Sequence, residues 1–184
     1  GDNIFYGNGL RNILFNAMSQ VQGGTVFGYE VANPQRYGVI GFHSNGVVSS
    51  VEEKPISPKS NCAVTGLYFF DETASQKAKN IKASPRGELE ITSLIEQYLD
   101  EGSLSVQKIG RGYAWLDMGT HKSFLEAGNF VHLLQKRQGL QIGCPEEIAY
   151  ENSWISLSQL EDAAKRLENS EYGEYLQKLV YSHS

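Results

Sequence analysis

Two aspartates stand far apart in the chain, Asp2 in Gly1-Asp2-Asn3 and Asp117 in Trp115-Leu116-Asp117-Met118-Gly119-Thr120. Two separated carboxylates suit a hard divalent cation such as Mg2+, which takes one or two of them and fills its remaining positions with waters and substrate phosphates. Two further segments carry cations at turns, Glu52-Glu53-Lys54-Pro55 and Pro85-Arg86-Gly87-Glu88. Lys54 and Arg86 can hold phosphate oxygens, the guanidinium in bidentate fashion. Glu53 can accept hydrogen bonds from sugar hydroxyls. Together these groups are equipment for phosphoryl or nucleotidyl transfer, where positioning and charge neutralisation do most of the catalysis. Taken singly they are ordinary. An aspartate before a turn commonly caps it, a lysine beside proline is commonly solvated, and a tryptophan such as Trp115 is commonly core. His43, His121, His132 and His183 show no H-x-x-x-H spacing and receive no role.

Regular elements must bring these turns together. Leu10, Leu14, Ala17, Met18 and Val21 recur at helical spacing and predict a helix over 8–21, stopped by Gly23-Gly24. Thr25 to Val31, rich in β-branched and aromatic residues, predicts a buried strand. Apolar runs at 37–42 and 47–51 flank Asn45-Gly46, a hairpin signal because both residues accept positive φ. A strand is expected over 63–70, ending at Asp71. Ile91, Leu94, Ile95, Tyr98 and Leu99 predict an amphipathic helix over 88–100, with Gly102 after its end. A strand follows at 104–109, continued by 111–116. Thr120 caps a helix over 121–137 that Gly139 stops. Ser156 with Gln159 reads as a capping box, and a last helix carries Tyr172, Tyr175, Leu176, Leu179 and Val180. Strands interleaved with helices predict an α/β fold built on a mixed sheet over 1–139. A helical subdomain is expected over 140–184.

Composition narrows the function classes. The 184 residues are 40% hydrophobic and 20% charged, enough for a packed core. A net charge of −5 argues against a general nucleic-acid binder, which replaces phosphate counterions with a basic surface. No apolar run approaches the roughly 18–20 residues that span a bilayer, so no membrane partner is expected. Two cysteines, Cys62 and Cys144, are too few for a disulfide scaffold, which fits a cytoplasmic setting. The chain opens inside a motif rather than on Met, and this suggests a fragment.

The runs GDNIFYG, VEEKP, AVTGLYFFD, PRGELEIT, GRGYAWLDMGT and CPEEIA, in this order and followed by YGEYLQKLV, resemble the bacterial glucose-1-phosphate thymidylyltransferases, from residue 1 to about 181. The resemblance implies a doubly wound, Rossmann-like mixed sheet of the nucleotidyltransferase type. It implies Mg2+ as cofactor, held by Asp2 and Asp117. Lys54 and Arg86 would bind the phosphate of glucose 1-phosphate, and Glu53, Gly38, Val64 and Trp115 its sugar. The implied reaction joins glucose 1-phosphate to dTTP, giving dTDP-glucose and pyrophosphate on the way to dTDP-rhamnose and related sugars. A homotetramer with a second site for a dTDP-sugar effector is also implied, placing Tyr6, Gly7, Arg111, Glu147 and Ile148 at that site.

The chain departs from that pattern in ways that matter. The family's Gly-rich G-x-G-T-R-L loop, which cradles a triphosphate on backbone N–H groups, is not found in the sequence, nor are the residues that read the base. Roughly 100 residues, about one mononucleotide-binding half of a doubly wound fold, are therefore expected to lie outside it. The chain alone is expected to be inactive. A non-catalytic truncated product, or an enzyme using UTP or ATP, are the competing readings. Asn8 stands where the family has His, and Glu151 and Asn152 stand where it often has a basic pair, so fewer cations would meet an effector phosphate.

Overall fold

The computed structural model describes residues 2–19 and 22–183. Gly1 and Val21, both used above, lie outside the described residues. The chain divides into two compact units, Gly1–Met118 and Gly119–Ser184.

The first unit opens on a strand, β1 (Asn3–Gly7), and a helix, α1 (Leu10–Ser19). There follow β2 (Gly24–Glu30), a single 3-10 turn at Pro34–Arg36, and the hairpin β3 (Gly38–Phe42) and β4 (Val48–Glu53). Then come β5 (Cys62–Phe70), α2 (Ala74–Lys79), α3 (Ile91–Asp100), β6 (Leu104–Ile109) and β7 (Tyr113–Asp117). A five-stranded sheet has the order β4-β3-β5-β2-β6, and β1 and β7 form a separate two-stranded sheet. Within the larger sheet β2 and β6 are parallel, while β2–β5, β3–β4 and β3–β5 are antiparallel. The fold is thus the expected α/β type with a mixed sheet.

Period-two alternation along β2 sends successive side chains to opposite faces. Val26 joins a core with Ile40, Val51, Val64 and Ile95 of α3. Phe27 joins another with Ala17 of α1 and Ile109. Helices therefore cover both faces, which explains why Gly24 to Gly28 is buried without a polar face. β2 is an interior strand, paired with β5 and β6.

Several boundaries shift for local reasons. In the hairpin only Gly46 takes positive φ, at 82°, while Asn45 instead accepts from Val47 N–H through Oδ1. The turn closes by Gly46 N–H to the His43 carbonyl, so a type I turn followed by a left-handed glycine replaces the two-residue primed turn. The α3 helix starts at Ile91 because Ser84 to Glu88 forms a closed turn around Gly87 (φ 79°). Gly110-Arg111-Gly112 breaks the strand expected to continue from β6, and β7 pairs with β1 instead.

The second unit contains α4 (His121–Gln138), α5 (Pro145–Glu151), α6 (Leu157–Arg166) and α7 (Glu171–His183). Both predicted caps form, with Thr120 Oγ1 accepting from Ser123 N–H and Ser156 Oγ from Gln159 N–H. Cys144, Leu160, Ala163, Ala164 and Leu176 make a core among α5, α6 and α7. The α4 helix groups with this tail, so the division falls earlier than the boundary at 139 read from sequence.

Candidate sugar-phosphate and metal site

The β3–β4 register pairs Gly38 with Glu53. A Cβ at Gly38 would lie 2.7 Å from Thr92 Cγ2, 3.4 Å from Glu53 Oε2 and 3.6 Å from Val64 Cβ, so glycine lets these three groups close over the strand. Thr92 Oγ1 donates to Glu53 Oε2 at 3.2 Å and fixes the carboxylate from one side. Lys54 Nζ stands 3.6 Å and Arg86 Nη1 3.8 Å from the other oxygen, Oε1. Arg86 is further held by Glu90 at 3.2 Å and Glu88 at 3.1 Å. The predicted sugar and phosphate residues Gly38, Glu53, Lys54, Val64 and Arg86 therefore share one neighbourhood.

Lys54 has φ 42°, in the left-handed region, and its N–H donates to the Tyr37 carbonyl at 3.0 Å. A non-glycine residue held there marks a place where surrounding structure overrides local preference, and such places cluster at ligand sites. Tyr37 leads on to Trp115, with ring centroids 5.1 Å apart and Tyr29 flanking the indole at 5.9 Å.

The β1–β7 pair brings the aspartates together. Asn3 faces Asp117 in register, and Met118 N–H donates to the Asp2 carbonyl at 2.7 Å. The backbones of Asp2 and Asp117 thus lie at neighbouring strand ends, more than a hundred residues apart in sequence. Among the described residues no three His, Cys, Asp or Glu side chains cluster as a ready-made metal cage. Two carboxylates at neighbouring strand ends are by donor chemistry the kind of ligand a hard divalent cation takes when it draws its other ligands from water and substrate. Tyr68 lies within the field of Glu53 and Asp2. Burial first, then these two carboxylates, push its hydroxyl up to about 12.

Residues 1–133 match the family model described as Nucleotidyl transferase. The chain belongs to the nucleotidyl transferase family. Among curated relatives it is 55% identical over 180 residues to a glucose-1-phosphate thymidylyltransferase of Xanthomonas campestris, covering 98% of this chain and 61% of the relative. It is 52% identical to the enzyme of that name from Neisseria meningitidis and 49% identical to that of Mycobacterium tuberculosis, covering 62% of each. The chain therefore spans about three fifths of the length of these relatives. A crystal structure named for the same enzyme from Bacillus anthracis, in complex with sucrose, is similar with TM-score 0.61 and 36% identity, covering 70% of this chain and 51% of that one. A UDP-glucose pyrophosphorylase complexed with UDP-glucose shares the fold at TM-score 0.61 and 22% identity, covering 71% of this chain and 53% of that one.

Within this nucleotidyl transferase chain, the residues expected at an effector site fall in both units. Tyr6 and Gly7 end β1, and Arg111 lies in the exposed turn before β7. Tyr113 hydroxyl donates to the Asn8 carbonyl at 2.6 Å and ties these two segments together. Glu147 and Ile148 lie on α5, where Tyr175 of α7 donates to Glu147 at 2.7 Å. A groove of about 430 Å3 bounded by Pro145, Ile155, Asp162 and Arg166 contains none of the predicted site residues. Sequence reasoning missed Asn3, Tyr37, Glu90 and Thr92. Asn3 and Thr92 sit inside the quoted motifs, but their roles rest on partners distant in sequence. Among the described residues no helix is long and apolar enough to cross a membrane.

Proposed function

We propose that this chain is the sugar-phosphate- and metal-binding portion of a glucose-1-phosphate thymidylyltransferase. The observation that carries the reading is the convergence of Lys54 and Arg86 on Glu53 Oε1, at 3.6 and 3.8 Å, beside Gly38, where Thr92, Glu53 and Val64 leave no room for a side chain. Two cations beside one hydrogen-bond acceptor match a ligand with a phosphate at one end and hydroxyls at the other. Lys54 and Arg86 bind and orient the phosphate, Glu53 accepts from the sugar hydroxyls, and Gly38, Val64 and Trp115 shape the pocket. In the reaction a phosphate oxygen of glucose 1-phosphate attacks the α-phosphorus of dTTP, and pyrophosphate leaves as the α–β bond breaks. The cation that Asp2 and Asp117 would hold is Mg2+, which supplies neutralisation of phosphate charge. The dTTP-holding loop, the homotetramer, the dTDP-sugar effector and the cytoplasmic dTDP-rhamnose route follow only from the likeness to the thymidylyltransferases.

Calorimetric titration with glucose 1-phosphate tests the reading. The unsubstituted chain binds it, and Lys54→Ala loses about tenfold or more in affinity, the loss typical of a charge-assisted hydrogen bond. Equal binding by the two proteins would show that Lys54 does not hold the phosphate.

A further inference from the structure

We infer that Asn3 is a positioning residue that couples the cation-binding carboxylate of Asp2 to the aromatic wall at Trp115. The inference rests on the function proposed above and goes beyond it, since it joins the metal and sugar halves of the site. Asn3 Nδ2 donates to Asp2 Oδ1 at 2.9 Å, and Trp115 Nε1 donates to Asn3 Oδ1 at 2.7 Å. Only one orientation of the amide satisfies both neighbours, because the indole can only donate and an ionised carboxylate can only accept. The amide is thereby locked, and it sets the rotation of Asp2 and the edge of the indole together.

A second observation is the seat under Asn3. A Cβ at Gly66 of β5 would lie 2.3 Å from Asn3 Nδ2 and 2.6 Å from its Cγ. Gly66 is not at positive φ, so space rather than backbone conformation makes it glycine. The sheet thus leaves a gap shaped for this one amide. From Trp115 the line continues through Tyr37, whose ring packs at 5.1 Å and whose carbonyl accepts from Lys54 N–H at 3.0 Å. A chain of direct contacts therefore runs from the candidate metal carboxylate to the candidate phosphate lysine. Outer-shell partners of this kind orient metal ligands and tune their affinity.

Trp115 reports on the link. The sequence has two tryptophans, and Trp154→Phe leaves Trp115 as the sole indole. In that background, titrating Mg2+ into the millimolar range changes Trp115 emission with the midpoint measured by calorimetry. Asn3→Ala removes most of the emission change and weakens Mg2+ binding about tenfold, the lower end for outer-shell partners. Gly66→Ala, which keeps the amide but fills its seat, has the same effects, and the double variant is no worse than either single one. Circular dichroism and melting temperature identify any variant that has lost the fold. A merely structural Asn3 would lower the melting temperature and leave the emission response unchanged. An intact response in Asn3→Ala with Mg2+ still bound overturns the inference while the metal reading stands, as does Mg2+ uptake with no Trp115 response in the Asn3 protein. Absence of Mg2+ uptake by the unsubstituted chain overturns the metal reading and the inference with it.

Discussion

Lys54 carries its charge on a backbone that resists it. Its φ of 42° sets it among the two non-glycine described residues with positive φ, the other being Ser153. The left-handed region costs an L-residue about 1–2 kcal/mol, which glycine largely avoids. Lys54→Gly is therefore expected to be about 1 kcal/mol more stable than Lys54→Ala, while both lose glucose 1-phosphate to the same extent. Chemical denaturation beside calorimetry reads the two effects separately. Equal stability of the variants would mean that the surrounding turn, not the residue, sets this conformation. Thr65 poses the opposite case. Its hydroxyl is buried with no hydrogen-bond partner among the described residues, one position before the Gly66 seat. Thr65→Val keeps the shape and removes the unsatisfied group, so stability is expected to hold or rise by about 1 kcal/mol. A clear loss in melting temperature would show that the hydroxyl is paired in solution.

Elements are tied into the first unit at Asp71, just past the end of β5. Its carboxylate accepts from Thr73 Oγ1 at 2.6 Å and Tyr98 hydroxyl at 2.9 Å. It also accepts from the N–H groups of Thr73 at 3.0 Å and Gly23 at 3.1 Å. These bonds, that from Thr73 Oγ1 foremost, hold the carboxyl below the ordinary aspartate range. A group whose folded pKa is depressed adds stability above its unfolded value, about 3.9. That stability is lost as pH falls through the folded value. Asp71→Asn is expected to flatten the acid limb of stability against pH below about 4, and parallel limbs for the two proteins would dismiss the role. Much of this layer was legible in sequence. β2, β5 and the α6 cap each carry a local pattern that the structure keeps, and the hairpin forms where its Asn-Gly signal placed it but on a different turn. β1 was not legible, because its five residues are all half-buried and its partner β7 lies more than a hundred residues away. The α2 helix buries nothing and so shows no apolar stripe, and α5 is a short turn begun by Pro145. The site follows the same rule. Charged residues beside Gly or Pro stood out, whereas Asn3 and Thr92 acquire meaning only from partners across the fold.

At the scale of the whole chain, its 180 aligned residues correspond to 61% of a thymidylyltransferase relative's length, and the sequence contains no G-x-G-T-R-L stretch. Positioning reactants in line can contribute about 7–11 kcal/mol of barrier lowering, and the loop that holds the triphosphate supplies part of it in this kind of reaction. This chain is therefore expected to release no pyrophosphate from dTTP and glucose 1-phosphate, even where it binds the sugar phosphate. Turnover in a pyrophosphate assay would show that what the chain holds is enough. The sheet makes a second statement. β2 is paired along both sides and covered by α1 and α3, so its amides have every reason to exchange slowly. β5 differs along its length. Its start meets β3 through the Val39–Ala63 pair, but among the described residues Gly66 to Phe70 has no ladder neighbour on the side away from β2. An exposed run of unpaired backbone groups is a template for another strand, and it starts where Asn3 sits over Gly66. Hydrogen exchange on the isolated chain is expected to show strong protection over Gly24–Glu30. Over Gly66–Phe70 it should be uneven, alternating over Tyr68–Phe70 past the bulge opposite Phe27, with the N–H groups that point away from β2 exchanging fast. Raising the protein concentration should protect those same amides first, in step with a rise in mass by light scattering. Uniform protection of Gly66–Phe70 in a monodisperse monomer would mean that this edge is closed in solution, and that the first unit needs no further strand.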